Sequence, residues 1–195
     1  MKKKFALMAT SLVLVAALAV GGTLAWLTDQ TDPITNTFTV GKVEIDLTET
    51  MTDFKMVPGN PIDKDPKVTV KAGSENSWVF VKVEESDNLN DFIEYSVDTG
   101  WTALDGVDGV YYREYPVSDT DTGVYSVLAN NQVMVKNSVT TDMMNDLIAD
   151  DPNTADVDES TYPTLTFTAY AIQKDGFTTA ADAWAEVIKA APSTP

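Results

Sequence analysis

Apolar and polar residues alternate along two long stretches of the chain, in the period-two pattern of β-strands with one buried face. In the first, Val79, Val81 and Val83 alternate with residues that are apolar up to Phe80 and charged from Lys82 onward. This stretch predicts a strand that runs from the core to the rim of a sheet. In the second, residues 164–171, apolar side chains alternate with Thr and Tyr. It predicts another strand with one face in the core.

Shorter alternating runs bring the prediction to about eight strands. They are residues 38–47, 68–70, 93–97, 110–112, 124–128 and 133–139. In the first run the apolar positions change parity at Gly41-Lys42, which predicts a bulge or bend there. Residues 129–132 predict a hairpin between the last two runs, because Asn130 and Asn131 tolerate positive φ.

Two stretches have the three-and-four spacing of helices. Residues 140–142, Thr-Thr-Asp, are the predicted cap of a short helix through Met143, Met144, Leu147 and Ile148. Residues 178–190 predict a C-terminal helix whose apolar face is Ala183, Trp184, Val187 and Ile188. Together these patterns predict a mainly β protein, an antiparallel β-sandwich with one or two short helices.

The N-terminus has the layout of an export signal. Lys2, Lys3 and Lys4 precede an apolar run over residues 5–22, and Ala25 occupies the −1 position of a cleavage site. We therefore predict a signal helix over residues 1–25 and a single domain over residues 26–195, with membrane contact only through the signal before cleavage. The alternative is an uncleaved anchor, because the run nearly matches the thickness of a bilayer. Either form places the remainder outside the cytoplasm.

Charge and composition exclude several classes of function. The chain has 13 basic and 30 acidic residues, a net charge of −17, and neither His nor Cys. Such a negative field repels phosphate backbones, so we expect no nucleic-acid partner. Without Cys and His the chain has no disulfides, no thiol nucleophile, no Ser–His triad and none of the usual zinc ligands. We predict that the protein is not an enzyme.

The signal junction and the first strand are similar to those of a known exported family. Residues 22–29, Gly-Thr-Leu-Ala-Trp-Leu-Thr-Asp, resemble the junction of Gram-positive proteins processed by a SipW-type signal peptidase. Residues 36–47 resemble the first mature strand of that family, whose best-known members are the TasA and camelysin-like surface proteins. Further similarities lie in residues 64–70, 73–75, 78–83 and 169–173.

This resemblance implies cleavage between Ala25 and Trp26 by a SipW-type peptidase, export, a jelly-roll-like sandwich and self-association or association with a related matrix protein. It places the protein in the extracellular matrix or on the surface of a Gram-positive bacterium. The metalloprotease activity described for camelysin does not carry over, because the chain has no H-E-x-x-H motif and no His.

Acidic loops are the candidates for cation binding. Asp119, Asp121, Asp150 and Asp151 offer oxygens at loop spacing, which calcium prefers. No complete calcium-loop motif is present, and Asp, Asn and Gly are also common turn residues. We expect solvated turns with weak, diffuse calcium binding, and no cofactor.

Aromatic and apolar residues suggest two kinds of surface. Trp78, Trp101, Tyr111, Tyr112, Tyr115 and Trp184 fit a sandwich core better than a glycan-binding face. Residues 26–40 suit a strand donated to a neighbouring molecule, with Trp26, Leu27, Ile34, Phe38 and Val40 as its apolar contacts. The same segment is equally suited to folding back onto its own sheet.

The function predicted from the sequence is a structural protein of the surface or biofilm matrix, a fibre subunit that assembles by strand addition. The alternative is a monomeric surface module that binds glycan or a host protein.

Overall fold

The structure, a computed structural model, describes residues 41–51, 54–118, 120–148 and 161–190. The predicted signal helix and the segment 26–40 lie outside these residues. The described part contains ten strands: β1 (Ile45–Thr48), β2 (Pro61–Asp63), β3 (Lys67–Val70), β4 (Ser77–Glu85), β5 (Ile93–Glu94), β6 (Thr102–Ala103), β7 (Val110–Tyr115), β8 (Gly123–Ser126), β9 (Gln132–Val135) and β10 (Leu165–Gln173). Its α-helices are α1 (Leu89–Phe92), α2 (Thr141–Leu147) and α3 (Ala180–Ala190). The predicted mainly β class is confirmed.

The strands form three antiparallel sheets. One has four strands in the order β10-β4-β7-β6, and the other two have the orders β1-β3-β8 and β2-β9-β5. The two longest strands, β4 and β10, pair along their whole lengths from Ser77–Gln173 to Glu85–Leu165. These are the two stretches of clearest alternation in the sequence, and both predictions are confirmed.

The four-stranded sheet packs face to face against the sheet β1-β3-β8. Val68 and Val70 of β3 meet Val79 and Val81 of β4, and all four side chains are fully buried. Burying each valine contributes roughly 1.5–3 kcal/mol before the entropy of ordering is subtracted. This layer is the core of a β-sandwich, while the jelly-roll topology stays a prediction.

Helix α3 covers the opposite face of the four-stranded sheet. Because neighbouring residues of a strand point to opposite faces, Trp78 and Phe80 turn toward α3 while Val79 and Val81 turn toward the other sheet. The ring of Trp184 lies 5.3 Å from that of Phe80 and 5.3 Å from that of Tyr170. The middle of this sheet is therefore buried on both faces.

The sheet β2-β9-β5 packs with α1 and α2 in a separate hydrophobic cluster. Leu89 and Phe92 of α1 pack with Val133 and Val135 of β9, and Leu147 of α2 joins the same cluster. Of the three predicted capping residues, Thr140 is the N-cap of α2, since its side chain accepts a hydrogen bond from the Met143 N–H at 3.2 Å.

The predicted hairpin across residues 129–132 is wrong. The strands on either side, β8 and β9, belong to different sheets, so this connection carries the chain from one sheet to another. Asn130 and Asn131 do adopt positive φ, at 56° and 53°. Their positive φ angles lie in a connection between two sheets. The local sequence does not distinguish such a connection from a hairpin turn.

Several smaller expectations are also corrected. The run 93–97 forms only the two-residue β5, because the residues before it form α1. In the run 38–47, residues 41–44 precede β1, which begins at Ile45, and residues 38–40 lie outside the described part. Leu47 is 36% exposed and Ile188 is 54% exposed, although both were placed on apolar faces. Among the described strands, β1, which carries Leu47, pairs with β3 alone. Ala180, and not Ile188, lies on the buried side of α3.

Candidate assembly edge

The longest free strand edge in the described part belongs to β10. This strand ends the order of the four-stranded sheet and hydrogen-bonds only to β4 there. It has nine residues, whereas the other terminal strands β1, β2, β5, β6 and β8 have two to four. At about 3.3 Å per residue, its edge offers main-chain donors and acceptors along roughly 30 Å.

The position of β10 is fixed on both of its faces. Phe167, Ala169 and Ala171 pack into the layer between the sheets, while Tyr170 and Ile172 pack against the α3 side. A strand held in this way presents its edge without first paying the entropy of ordering. Strand β1 lies alongside β10 where the two sheets meet, without a ladder between the two strands in the described residues.

A buried ion pair lies beside β10. Lys64 Nζ lies 2.8 Å from Glu49 Oε1, with side chains 10% and 16% exposed. The same ammonium lies 5.0 Å from the ring centre of Phe54 and 5.3 Å from that of Phe167 on β10. The pair therefore ties the segment after β1 to the flank of β10.

A second polar contact holds the same segment. The Asp65 carboxylate accepts hydrogen bonds from Lys67 Nζ at 2.8 Å, from the Thr50 N–H at 2.9 Å and from the Thr50 hydroxyl at 2.8 Å. These bonds favour the ionised form, so Lys67 first and Thr50 second hold the pKa of Asp65 well below its usual range. We call Glu49, Thr50, Phe54, Lys64 and Asp65 the β1 latch.

The latch was not predicted from the sequence. Lys64 lies between Asp63 and Asp65 in a polar stretch, which is typical of an exposed loop. Its burial depends on Phe54 and Phe167, which are distant along the chain. Only the similarity of residues 64–70 to the exported family marked this stretch.

Most predicted site residues lie outside the described part. These are the cleavage residues Ala25 and Trp26, the assembly residues Leu27, Ile34, Phe38 and Val40, and the calcium candidates Asp119, Asp150 and Asp151. Asp121 is described and exposed, and its backbone carbonyl accepts a hydrogen bond from the Tyr115 hydroxyl at 2.9 Å. The described residues contain no group of three acidic side chains placed to hold a metal ion.

The aromatic residues lie in the core, as predicted. Trp78, Trp101, Tyr115 and Trp184 are 3–7% exposed, and Tyr111 and Tyr112 are half-buried.

Across the described ranges, no helix is long and apolar enough to cross a membrane.

Comparison with known proteins identified one family. The model of that family, described as camelysin metallo-endopeptidase, matches residues 1–101. No curated protein and no solved structure matches the chain. The matched region covers the N-terminal segment, the β1 latch and the central strand β4. Because the description names a peptidase, the absence of enzymatic activity stays a prediction.

Proposed function

Because the chain belongs to the camelysin metallo-endopeptidase family, we propose that it is an exported structural protein whose copies assemble on the cell surface or in the biofilm matrix by strand addition. A SipW-type peptidase removes residues 1–25, between Ala25 and Trp26, and the mature domain is 26–195. The donated strand is residues 26–40, and the acceptor is the edge of β10.

The observation that carries this proposal is the length of the β10 edge that no strand of the described residues pairs with. Strand addition gains its affinity from main-chain hydrogen bonds and its register from alternate side chains that fill pockets. Nine residues of edge leave room for a donor of similar length, and residues 26–40 exceed it. The apolar residues Trp26, Leu27, Ile34, Phe38 and Val40 supply the side-chain contacts.

The acidic surface limits association by other routes. Cleavage removes Lys2, Lys3 and Lys4, which leaves 10 basic and 30 acidic residues and a net charge of −20. Copies with this charge repel one another unless specific contacts outweigh the repulsion. Weak, diffuse calcium binding would lower that repulsion without a dedicated site.

The first test compares residues 26–195 with residues 41–195 by electron microscopy and sedimentation, with and without calcium. We expect filaments from the longer protein and monomers from the shorter one. A longer protein that stays monomeric in every condition would overturn the proposal. Equal melting temperatures of the two proteins would show that the shorter one fails for want of the donor and not for want of a fold.

The family description favours a second candidate function, a metal-dependent endopeptidase. Without His, such an enzyme would need a metal site built from carboxylates and water. The test is hydrolysis of a fluorescent casein by residues 26–195 with added zinc, and again after chelation. Chelator-sensitive cleavage that survives further purification would replace the structural role with a catalytic one.

A further inference from the structure

A polar cleft opens at the ends of three strands of the four-stranded sheet. It lies where β4 begins and where β7 and β10 end, and its volume is about 570 Å³. Sites for small molecules commonly measure about 300–1,000 Å³. The side chains that matter here are those of Asn76, Glu114, Lys174, Asp175 and Phe177. The free edge of β10 does not contribute to the cleft, because Lys174 follows the last residue of that strand.

The cleft holds hydrogen-bond donors and acceptors side by side. Lys174 Nζ lies 2.5 Å from Glu114 Oε2, and both side chains are part-exposed, at 37% and 53%. Asp175 is exposed. Asn76 is fixed, because its Oδ1 accepts a hydrogen bond from the Val117 N–H and its carbonyl accepts one from the Lys174 N–H. Its amide nitrogen adds two further donors.

A buried indole that packs against Lys174 provides a second, independent observation. Trp78 is 6% exposed, and its Nε1 is buried with no hydrogen-bond partner in the described part of the chain. Leaving such a donor without a partner costs about 1–3 kcal/mol. The Lys174 ammonium lies 5.0 Å from the centre of the same ring. Lys174 therefore lines the cleft and also packs against an indole whose N–H has no acceptor in the described residues.

The chemistry of the cleft selects among ligands. Two carboxylates and a net charge of −17 oppose anions such as phosphates and acidic polymers. Lys174 opposes a basic peptide, which would use the acceptors alone. A sugar hydroxyl both donates and accepts, so neighbouring hydroxyls match a lysine beside a carboxylate. Phe177, half-buried at the rim, offers an apolar surface for the carbon face of a sugar ring.

We propose that this cleft binds a neutral saccharide of the cell wall or of the surrounding matrix. Glu114 and Asp175 accept hydrogen bonds from its hydroxyls, Lys174 and Asn76 donate to them, and Phe177 packs against a ring. The proposal does not depend on assembly, because the cleft is complete within one chain.

The test uses the full chain in a zwitterionic detergent, because sugar-based detergents would compete. Tryptophan fluorescence and calorimetry follow titration with chitotriose, cellotriose, a fully deacetylated chitosan trimer and a galacturonate trimer. We expect saturable binding of one or both neutral trimers and none of the charged ones. Preference for chitotriose would indicate a wall glycan with acetamido groups, and preference for cellotriose a matrix polysaccharide of plain hexoses.

Substitutions decide whether the cleft is responsible. Lys174→Met, Glu114→Gln and Asp175→Asn should each weaken binding about tenfold, as expected for the loss of a hydrogen bond to a charged group. Lys82→Met is the matched control, because Lys82 forms a part-exposed pair with Glu84 on the same sheet, outside the cleft. Its affinity should change less than twofold.

Three results would overturn the proposal: no neutral trimer binds at millimolar concentration, a charged trimer binds instead, or the cleft variants bind as the control does. Asp175 is exposed and its substitution leaves the core intact, so the comparison holds even if another variant folds poorly. These outcomes do not depend on filament formation, because binding is measured on single chains.

Discussion

Gly109 closes the turn between β6 and β7 in a backbone conformation that other residues rarely adopt. Its φ is +70°, and a Cβ placed on it would lie 2.4 Å from the Val83 carbonyl oxygen. Gly106, in the same turn, has φ of +76° but no heavy atom within 4 Å of such a Cβ. Alanine substitutions at the two glycines therefore separate the energetic cost of a positive φ from the cost of the contact with the Val83 carbonyl oxygen.

We predict that Gly106→Ala lowers the free energy of unfolding by about 1–2 kcal/mol, the cost of a left-handed conformation for a residue with a Cβ. Gly109→Ala should cost about 1–3 kcal/mol more, because the backbone of β4 must also move. Urea unfolding of both variants measures the difference. Equal losses would mean that the contact with Val83 relaxes freely.

The ion pair of the β1 latch has its own expected energetics. Glu49→Gln leaves the Lys64 ammonium buried beside two phenylalanine rings without its carboxylate, and breaking a buried pair on one side costs about 3–5 kcal/mol. Adding Lys64→Met should recover part of that loss, since the thioether suits an apolar site between rings. Urea unfolding measures both effects.

Glu84→Gln serves as the control for the latch, because Glu84 and Lys82 form a part-exposed pair. Exposed pairs contribute about 0–1 kcal/mol, so this variant should unfold nearly as the parent does. A Glu49→Gln variant that unfolds like the Glu84→Gln variant would show that the latch carries no stability.

At the scale of elements, the edge of β10 can be blocked without touching the core. Thr166 and Gln173 are exposed residues of this strand, and lysine on an edge is a natural deterrent to further pairing. We predict that Thr166→Lys with Gln173→Lys raises the protein concentration needed for filaments at least about tenfold, or 1.4 kcal/mol. Sedimentation of residues 26–195 measures that concentration.

The matched control places the same two charges beside another edge. Thr122→Lys and Val124→Lys lie at β8, where both residues are exposed. Because added lysines lower the net negative charge, any loss of filaments in the β10 variant cannot come from charge repulsion. Filaments lost equally from both variants would show that β10 is not the acceptor.

The elements predicted best from the sequence are those whose signal is local. Alternation located β4 and β10, and the threonine cap located α2, because each signal comes from residues within the element itself. The partner of β8 was predicted wrongly, since strand pairing is decided by distant residues such as those of β3. The latch was missed for the same reason, because Lys64 is buried by Phe54 and by Phe167.

The whole molecule behaves as a strongly acidic particle, and its assembly should follow the screening of that charge. The Debye length falls from about 30 Å at 0.01 M salt to about 8 Å at 0.15 M. We predict that filaments of residues 26–195 form several-fold more readily at the higher salt, with calcium, or at a pH near 4, where carboxylates take up protons. Turbidity and electron microscopy across these conditions measure the effect.

The Asp65 contacts of the β1 latch should survive the acidic condition. Asp65 has a pKa held below its usual range, so its stabilising bonds are present at neutral pH and are lost only when the pH falls well below 4. Near-ultraviolet circular dichroism of filaments formed near pH 4 measures whether their subunits stay folded. Filaments that form equally well at low salt and neutral pH would contradict the role of charge.

The placement of β1 and β10 in different sheets determines how such a fibre would carry tension. A pull on the donated strand enters at β1, in the sheet β1-β3-β8, and leaves through β10, in the four-stranded sheet. The two sheets are joined by the packing of valines and aromatic rings and by the contact of the β1 latch with Phe167 of β10, and the chain has no cysteine to cross-link them. The load would therefore cross an interface held by side-chain packing, so the mechanical strength of the fibre would depend on how well those side chains fit.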